Sequence, residues 1–363
     1  MKLTMWKKVL VVLGVVAATL CYWEIGVRVI TSRTVPLLRT DPQFGGPMHV
    51  KNYSGKAWDA ISGRKNNVRT NRLGYIGDDI KKERATGTIR IAMLGDSTLE
   101  GLQVDLEETF PHILENQLTK DGFCASKKFE VMNFGMGSAG TYYETQIYKR
   151  DVTPFHPDYV MLVFHNDYEE NLSKFGHNFD IYPRHSVVGL RSFLSQFELT
   201  RFVFYKLRGN EEFVYVLKKI GLLASDAEIS PVEPVVVATT TPGLSQAHFD
   251  RTFELLDKLN ASVTENGSRF VVVIFPQEVD YAGVGTGSAN PRTKKLSEHL
   301  SSVGITHIDS TMALARLKNN TGGACLSFGC VDHLNEEGHR AMASILNKFT
   351  LDLLRQNNSC NKQ

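Results

Sequence analysis

The chain has 363 residues, 42% of them hydrophobic and 22% charged, enough to bury one sizeable core and an accessory region. Lys and Arg number 41 against 39 Asp and Glu, a formal net charge of +2. That balance, mixed along the chain without basic or acidic blocks, excludes a surface built for nucleic acid or another polyanion.

The first element is apolar. Lys2, Lys7 and Lys8 precede an uninterrupted apolar run over 9–23, which closes on Tyr22 and Trp23 before Glu24. Its core is short for a membrane span, but Trp6, Lys8 and the Tyr22-Trp23 pair extend it to both interfaces. Ala18-Thr19-Leu20 is a poor cleavage site, and the residue before Cys21 is not the small one a lipoprotein signal needs. Residues 1–30 therefore read as an uncleaved transmembrane signal-anchor with its lysines cytoplasmic; a cleaved signal is the alternative. The rest of the chain is then expected outside, in the periplasm or extracellular space. Residues 31–86, rich in Arg, Lys, Asn, Gly and Pro with little periodicity, read as a leader or linker.

From Ile89 apolar strands alternate with amphipathic helices. Strands are expected over 89–94, 129–132, 159–164, 269–275 and 306–308, and helices over 107–120, 246–266, 291–303 and 336–354. The alternation predicts an α/β fold over 87–355, a three-layer α/β/α sandwich with a mostly parallel sheet. Residues 168–243 interrupt it as a helical insertion, with helical stretches over 193–207 and 211–223 and a Pro- and Val-rich run over 229–242. Leaving the sheet just after Asn166, this insertion is expected to cover the site as a lid. The stripe Phe193, Phe197, Phe204 and Tyr205 reads as packing, and residues 356–363 as a polar tail.

Four blocks stand at or just beyond the C-terminal ends of these strands, the edge where open α/β sheets assemble their sites. They are Gly95-Asp96-Ser97, Asn133-Phe134-Gly135, His165-Asn166-Asp167, and the run from Asp332 and His333 to Gly338 and His339. Each alone is ordinary turn or capping chemistry. Together, in this order, they resemble the SGNH (GDSL-like) hydrolase superfamily of esterases, lipases and carbohydrate O-acetyl esterases or transferases. The resemblance implies Ser97 as nucleophile, Gly135 and Asn166 in the oxyanion pocket, and His333 as base. The chain departs from the family pattern twice: Phe164 replaces the first glycine of the third block, and Cys330 stands where the triad acid is common. Asp332, adjacent to His333, is the nearest carboxylate, although neighbours in an extended segment point to opposite sides. Either a bend brings Asp332 to the imidazole or a Ser97–His333 dyad works without it.

Such a set performs acyl transfer. Ser97 attacks the acyl carbon, His333 takes its proton and returns it to the leaving alcohol, and N–H groups of Ser97, Gly135 and Asn166 stabilise the developing oxyanion. No cofactor or metal is required. His333 and His339 are six apart without a Cys-x-x-Cys, which disfavours zinc, and the glycines over 135–140 do not spell a dinucleotide fingerprint. His339 reads as a structural histidine. Cys124, Cys325, Cys330 and Cys360 form an even set suited to an oxidising compartment. Cys325–Cys330 and Cys124–Cys360 are the expected disulfides, with free thiols as the alternative.

The expectation is a membrane-anchored, externally facing serine esterase acting on an O-acyl, favoured O-acetyl, ester of a cell-envelope or extracellular glycan. Two alternatives remain open: an acyltransferase using the same serine, and a catalytically silent glycan-binding or assembly protein. The acyl chain, the acceptor and any membrane-protein partner are not legible in the residues.

Overall fold

The computed structural model describes residues 4–31, 37–41, 43–44, 46–59, 61–122, 124, 127–172, 193–194, 197–207, 210–219, 244–278, 280, 290–320 and 322–357. The chain forms two compact units, Met1–Gly45 with Ile181–Ser225, and Gly46–Asp180 with Asp226–Gln363.

In the first unit, α1 (Met5–Thr31) is a 27-residue helix whose stretch Met5–Val29 is long and apolar enough to cross a membrane. A membrane anchor and a signal sequence both fit it. Helices Glu198–Leu207 and Glu211–Lys219 belong to the same unit, and the Leu199 N–H donates to Glu24 Oε2 of α1 at 2.9 Å. Phe193 meets Phe197 edge-on, with ring centroids 5.2 Å apart. Residues 173–192 and 220–243 of the expected lid lie outside the described residues, as do Cys360 and the side chains of Phe204 and Tyr205.

The second unit carries an antiparallel hairpin, β1 (Ser54–Asp59) and β2 (Arg64–Arg69), inside the segment whose pattern suggested no element. Its side chains are largely exposed, so no apolar alternation marks it in the sequence. Specific polar contacts tie this segment to the rest of the unit. Asn66 Nδ2 donates to the Leu102 carbonyl at 2.8 Å, the Tyr75 hydroxyl donates to Asp151 Oδ2 at 2.5 Å, and Arg64 pairs with Glu336.

The sheet follows: β3 (Thr88–Gly95), β4 (Lys128–Gly135), β5 (Tyr159–Phe164), β6 (Arg269–Ile274) and β7 (Thr306–Asp309), ordered β4-β3-β5-β6-β7 with every pairing parallel. β3 and β5 are buried along their whole length, as strands covered on both faces must be. Arg90, the one charge in the apolar run of β3, is fully buried. Its guanidinium donates to Glu130, to the carbonyls of Lys81 and Lys82, and to that of Phe155, so the cation does not stand unpaired in the core.

The helices are α2 (Ser97–Glu100), α3 (Phe110–Asp121), α4 (Thr141–Ile147), α5 (Tyr168–Leu172), α6 (Gln246–Glu265), α7 (Pro291–Ser302), α8 (Thr311–Asn320) and α9 (Glu336–Gln356). α3 and α9 pack together on one face over Ile91, Met93, Met161 and Val273, while α4, α5 and α6 pack together on the other. Pro111 sits in the first turn of α3, where its missing N–H is not needed, so this helix begins later than the apolar pattern suggested. The strand order reverses at β3, which lies between β4 and β5. Parallel α/β sheets open a crevice at that point.

Candidate active site

β3 ends at Gly95 and the chain turns directly into α2 with Ser97 as its first residue. A Cβ on Gly95 would sit 3.0 Å from Leu99 Cβ and 3.1 Å from the Val163 carbonyl, so the tight turn has no room for a side chain. Asp96 caps the turn. Its Oδ1 accepts from Thr98 N at 2.8 Å and from Thr98 Oγ1 at 2.7 Å, and its Oδ2 lies 3.2 Å from His165 Nδ1. Burial acts to raise the Asp96 carboxyl, but the His165 and Thr98 hydrogen bonds outweigh it and hold the group below the ordinary carboxylate range.

Ser97 Oγ stands 2.9 Å from His333 Nε2, and His333 Nδ1 stands 2.7 Å from Asp332 Oδ1. The adjacent acid reaches its neighbour because the loop before it is sharply bent. Gly329 and Cys330 both take left-handed backbone, φ 63° and 58°, and the Cys325–Cys330 disulfide closes the bend with its Cα atoms 5.2 Å apart. Cys124 is also disulfide-bonded. The far side of the loop is pinned by Glu278. This buried carboxylate accepts from Ser327 N at 2.9 Å and from Lys318 Nζ at 2.6 Å, while its own N–H donates to the Val331 carbonyl at 2.9 Å.

Burial alone would lower the His333 imidazole. The Asp332 hydrogen bond and charge, helped by Asp96 and Asp59, outweigh that and raise it above the ordinary histidine value. The same hydrogen bond holds Asp332 below the ordinary carboxylate range, against a smaller opposing effect of burial. Asp332 therefore favours the imidazolium form of His333.

Asn166 follows β5 in left-handed backbone, φ 58°, a conformation asparagine tolerates. It lines a cleft of about 260 Å³ together with Ser97, His333 and Asp332. A larger cavity, about 410 Å³, lies between the 71–85 segment and α3 and touches none of these side chains.

Gly135 corrects the sequence expectation. Its N–H donates to Asn133 Oδ1 at 2.8 Å, and a Cβ on it would lie 2.5 Å from the backbone nitrogen of Glu100. It is a close-packing glycine beneath α2, and its N–H is already used. Ser138, in left-handed backbone at φ 61°, lines the cleft instead. A non-glycine residue in that conformation carries no reliable mark in a single sequence, so it was missed. Also unforeseen are His165 on Asp96, and Arg292, whose guanidinium donates to Asn166 Oδ1 at 3.2 Å.

His339 is structural. Its Nδ1 accepts from Phe110 N at 3.1 Å, its ring stacks on Phe110, and burial lowers its imidazole to about 3. Asp167, in the cleft wall, and Glu144 are both buried, and among the described residues the Glu144 carboxyl oxygens and Asp167 Oδ2 have no hydrogen-bond partner. Burial, then the mutual repulsion of neighbouring carboxyls, raises both well above the ordinary range.

Among solved structures, the chain is similar to an acetyl xylan esterase at 14% identity and TM-score 0.40, covering 72% of this chain and 98% of that one. It is similar to a lipase/acylhydrolase from Enterococcus faecalis at 13% identity and TM-score 0.40, covering 73% and 96%. A two-domain esterase active on acetylated mannans overlaps at 13% identity and TM-score 0.41, covering 74% of this chain and 50% of that one. These are loose likenesses of fold. No family model matches the chain, and no curated protein matches it in sequence.

Proposed function

We propose that the chain is a serine esterase cleaving an O-acyl, favoured O-acetyl, ester of a cell-envelope or extracellular glycan. The observation that carries this reading is the continuous hydrogen-bonded series from Ser97 Oγ through both nitrogens of His333 to Asp332, set at the sheet's switch point. Ser97 Oγ attacks the acyl carbon as its proton passes to His333 Nε2, and Asp332 stabilises the resulting imidazolium. The Ser97 N–H, the Asn166 amide and the backbone at Ser138 receive the oxyanion, each such donor being worth about 2.7–4 kcal/mol in the transition state. Collapse expels the alcohol, which takes the proton from His333. Water, deprotonated by the same imidazole, then releases the acid and restores Ser97.

The cleft favours a short acyl group. Apart from Ala139, its described lining is polar, including Asn166, Asp167, Glu170 and Gln277, and offers no apolar trough for a long chain. The glycan rests on the family resemblance and on α1, which as an anchor holds the second unit outside the cytoplasm with the lysines within.

The test is labelling of the full chain by a fluorophosphonate and turnover of a short-chain nitrophenyl ester. Ser97→Ala is expected to abolish labelling and to lower kcat by about 10⁴-fold or more. Labelling that persists in Ser97→Ala removes Ser97 as nucleophile, and a parent chain that neither labels nor turns over fails the esterase reading.

A further inference from the structure

Asn166 has one side chain with two nearly isosteric ends, and only one of them can donate to an oxyanion. Its partner decides which end faces the cleft. Arg292 carries donors and no acceptor, so the atom it meets at 3.2 Å must be the amide oxygen. The Nδ2 hydrogens are thereby turned away from Arg292. If the amide flipped, an acceptor oxygen would face the oxyanion and repel it, replacing a stabilising contact with a destabilising one.

Arg292 is itself held in place. Asn290 caps α7 by accepting from Arg292 N at 2.9 Å, and its own Nδ2 donates to Asp280 Oδ1 at 2.6 Å. Asp280 Oδ2 in turn accepts from the N–H of Gln277, which lines the cleft just beyond β6. His165, the chain neighbour of Asn166, is hydrogen-bonded to Asp96 in the turn that carries Ser97. Through these contacts the ends of β3, β5 and β6 set one amide.

We infer that Arg292 is the positioning residue of the site, locking the Asn166 side chain in the orientation that presents Nδ2–H to the substrate's acyl oxygen. The inference rests on the esterase reading for its kinetic consequence, but the orientation itself can be measured without turnover.

Steady-state kinetics on the full chain are expected to show Arg292→Met lowering kcat about tenfold to a hundredfold, with KM changed less than about threefold. Arg292→Lys, which still donates, is expected to recover part of that loss. In an Asn166→Ala background, Arg292→Met is expected to cost no more than about twofold further, because its effect passes through the missing amide. Losses that multiply independently in the double variant, or an unchanged kcat in Arg292→Met, would overturn the inference. Side-chain amide NMR of ¹⁵N-labelled chain gives the second readout: one sharp Asn166 NH₂ pair in the parent, broadened or doubled in Arg292→Met. An identical NH₂ pair in both proteins overturns the lock even if the parent proves to lack esterase turnover, which by itself would fail only the esterase reading.

Discussion

Asp332 and Asp167 are the same residue type at the same cleft, yet their surroundings push them in opposite directions. Asp332 is half-buried and bonded to an imidazole, so its carboxylate is favoured. Asp167, like Glu144, is buried with an oxygen that meets no donor among the described residues, so the neutral acid is favoured. Asp96 separates the two causes. It too suffers desolvation, but His165 and Thr98 donate to it and it is held low. Burial alone does not decide the charge of these acids: hydrogen bonds outweigh it at Asp332 and Asp96, and neighbouring carboxyls add to it at Asp167 and Glu144. In the proposed reaction, Asp332 thus keeps a negative charge beside the imidazole that becomes an imidazolium, while the charge of Asp167, in the wall of the same cleft, is suppressed where it would oppose an oxyanion.

The strongest way to break this contrast is Asp332→Asn. It is expected to lower kcat about 10³-fold or more in steady-state assays, as when a triad acid can no longer hold the imidazole in its working form. A loss of less than about tenfold would mean a Ser97–His333 dyad suffices. The pH profile sharpens the same point. His333 must be neutral to accept the Ser97 proton, and its imidazole is raised, so kcat/KM is expected to fall on acidification with a midpoint above the ordinary value of 6.5. In Asp332→Asn the cause of the rise is gone, and the midpoint is expected to move to lower pH. A midpoint that does not move would detach Asp332 from the titration.

The smallest effect concerns the buried acids Glu144 and Asp167. Because the folded-state value of Glu144 is raised, its contribution to stability is full below the unfolded carboxyl value and is lost as pH rises through the folded one. Glu144→Gln does not ionise. Between pH 5 and pH 8 it is therefore expected to lose less melting temperature than the parent, by about 2–4 °C. Parallel melting curves for the two proteins would show that Glu144 is not the buried titrating group.

Much of the architecture was legible because it is periodic. The run over 159–164 is apolar at every position, and a strand covered on both faces requires that. The run over 89–94 reads the same way despite Arg90, whose partners lie on other segments. Where side chains face water the pattern fails: the Ser54–Asp59 and Arg64–Arg69 hairpin is mostly exposed and was invisible. β4 runs on to Gly135, past the 129–132 stretch that the apolar residues marked. In the site, the serine turn and the histidine loop could be placed at the sheet edge from strand ends alone. The Cys325–Cys330 disulfide could be foreseen from proximity in the chain.

Local pattern reaches about as far as one element, because hydrophobic spacing reports which face of a strand or helix is dry. It therefore yielded the alternating β/α layout, the apolar N-terminal helix and the residue types capable of acyl chemistry. Which atom meets which was settled by contacts between residues far apart in the chain, such as Ser97 with His333, 236 positions away, and Arg292 with Asn166, 126 away. Those contacts turned one amide and joined Ser97 to His333, while local backbone geometry spent the Gly135 N–H on Asn133, two residues away, set Ser138 at the cleft and bent Asp332 onto its neighbour. Hydrogen bonds are short and directional, so no one-dimensional spacing specifies them until the core has brought the strand ends together.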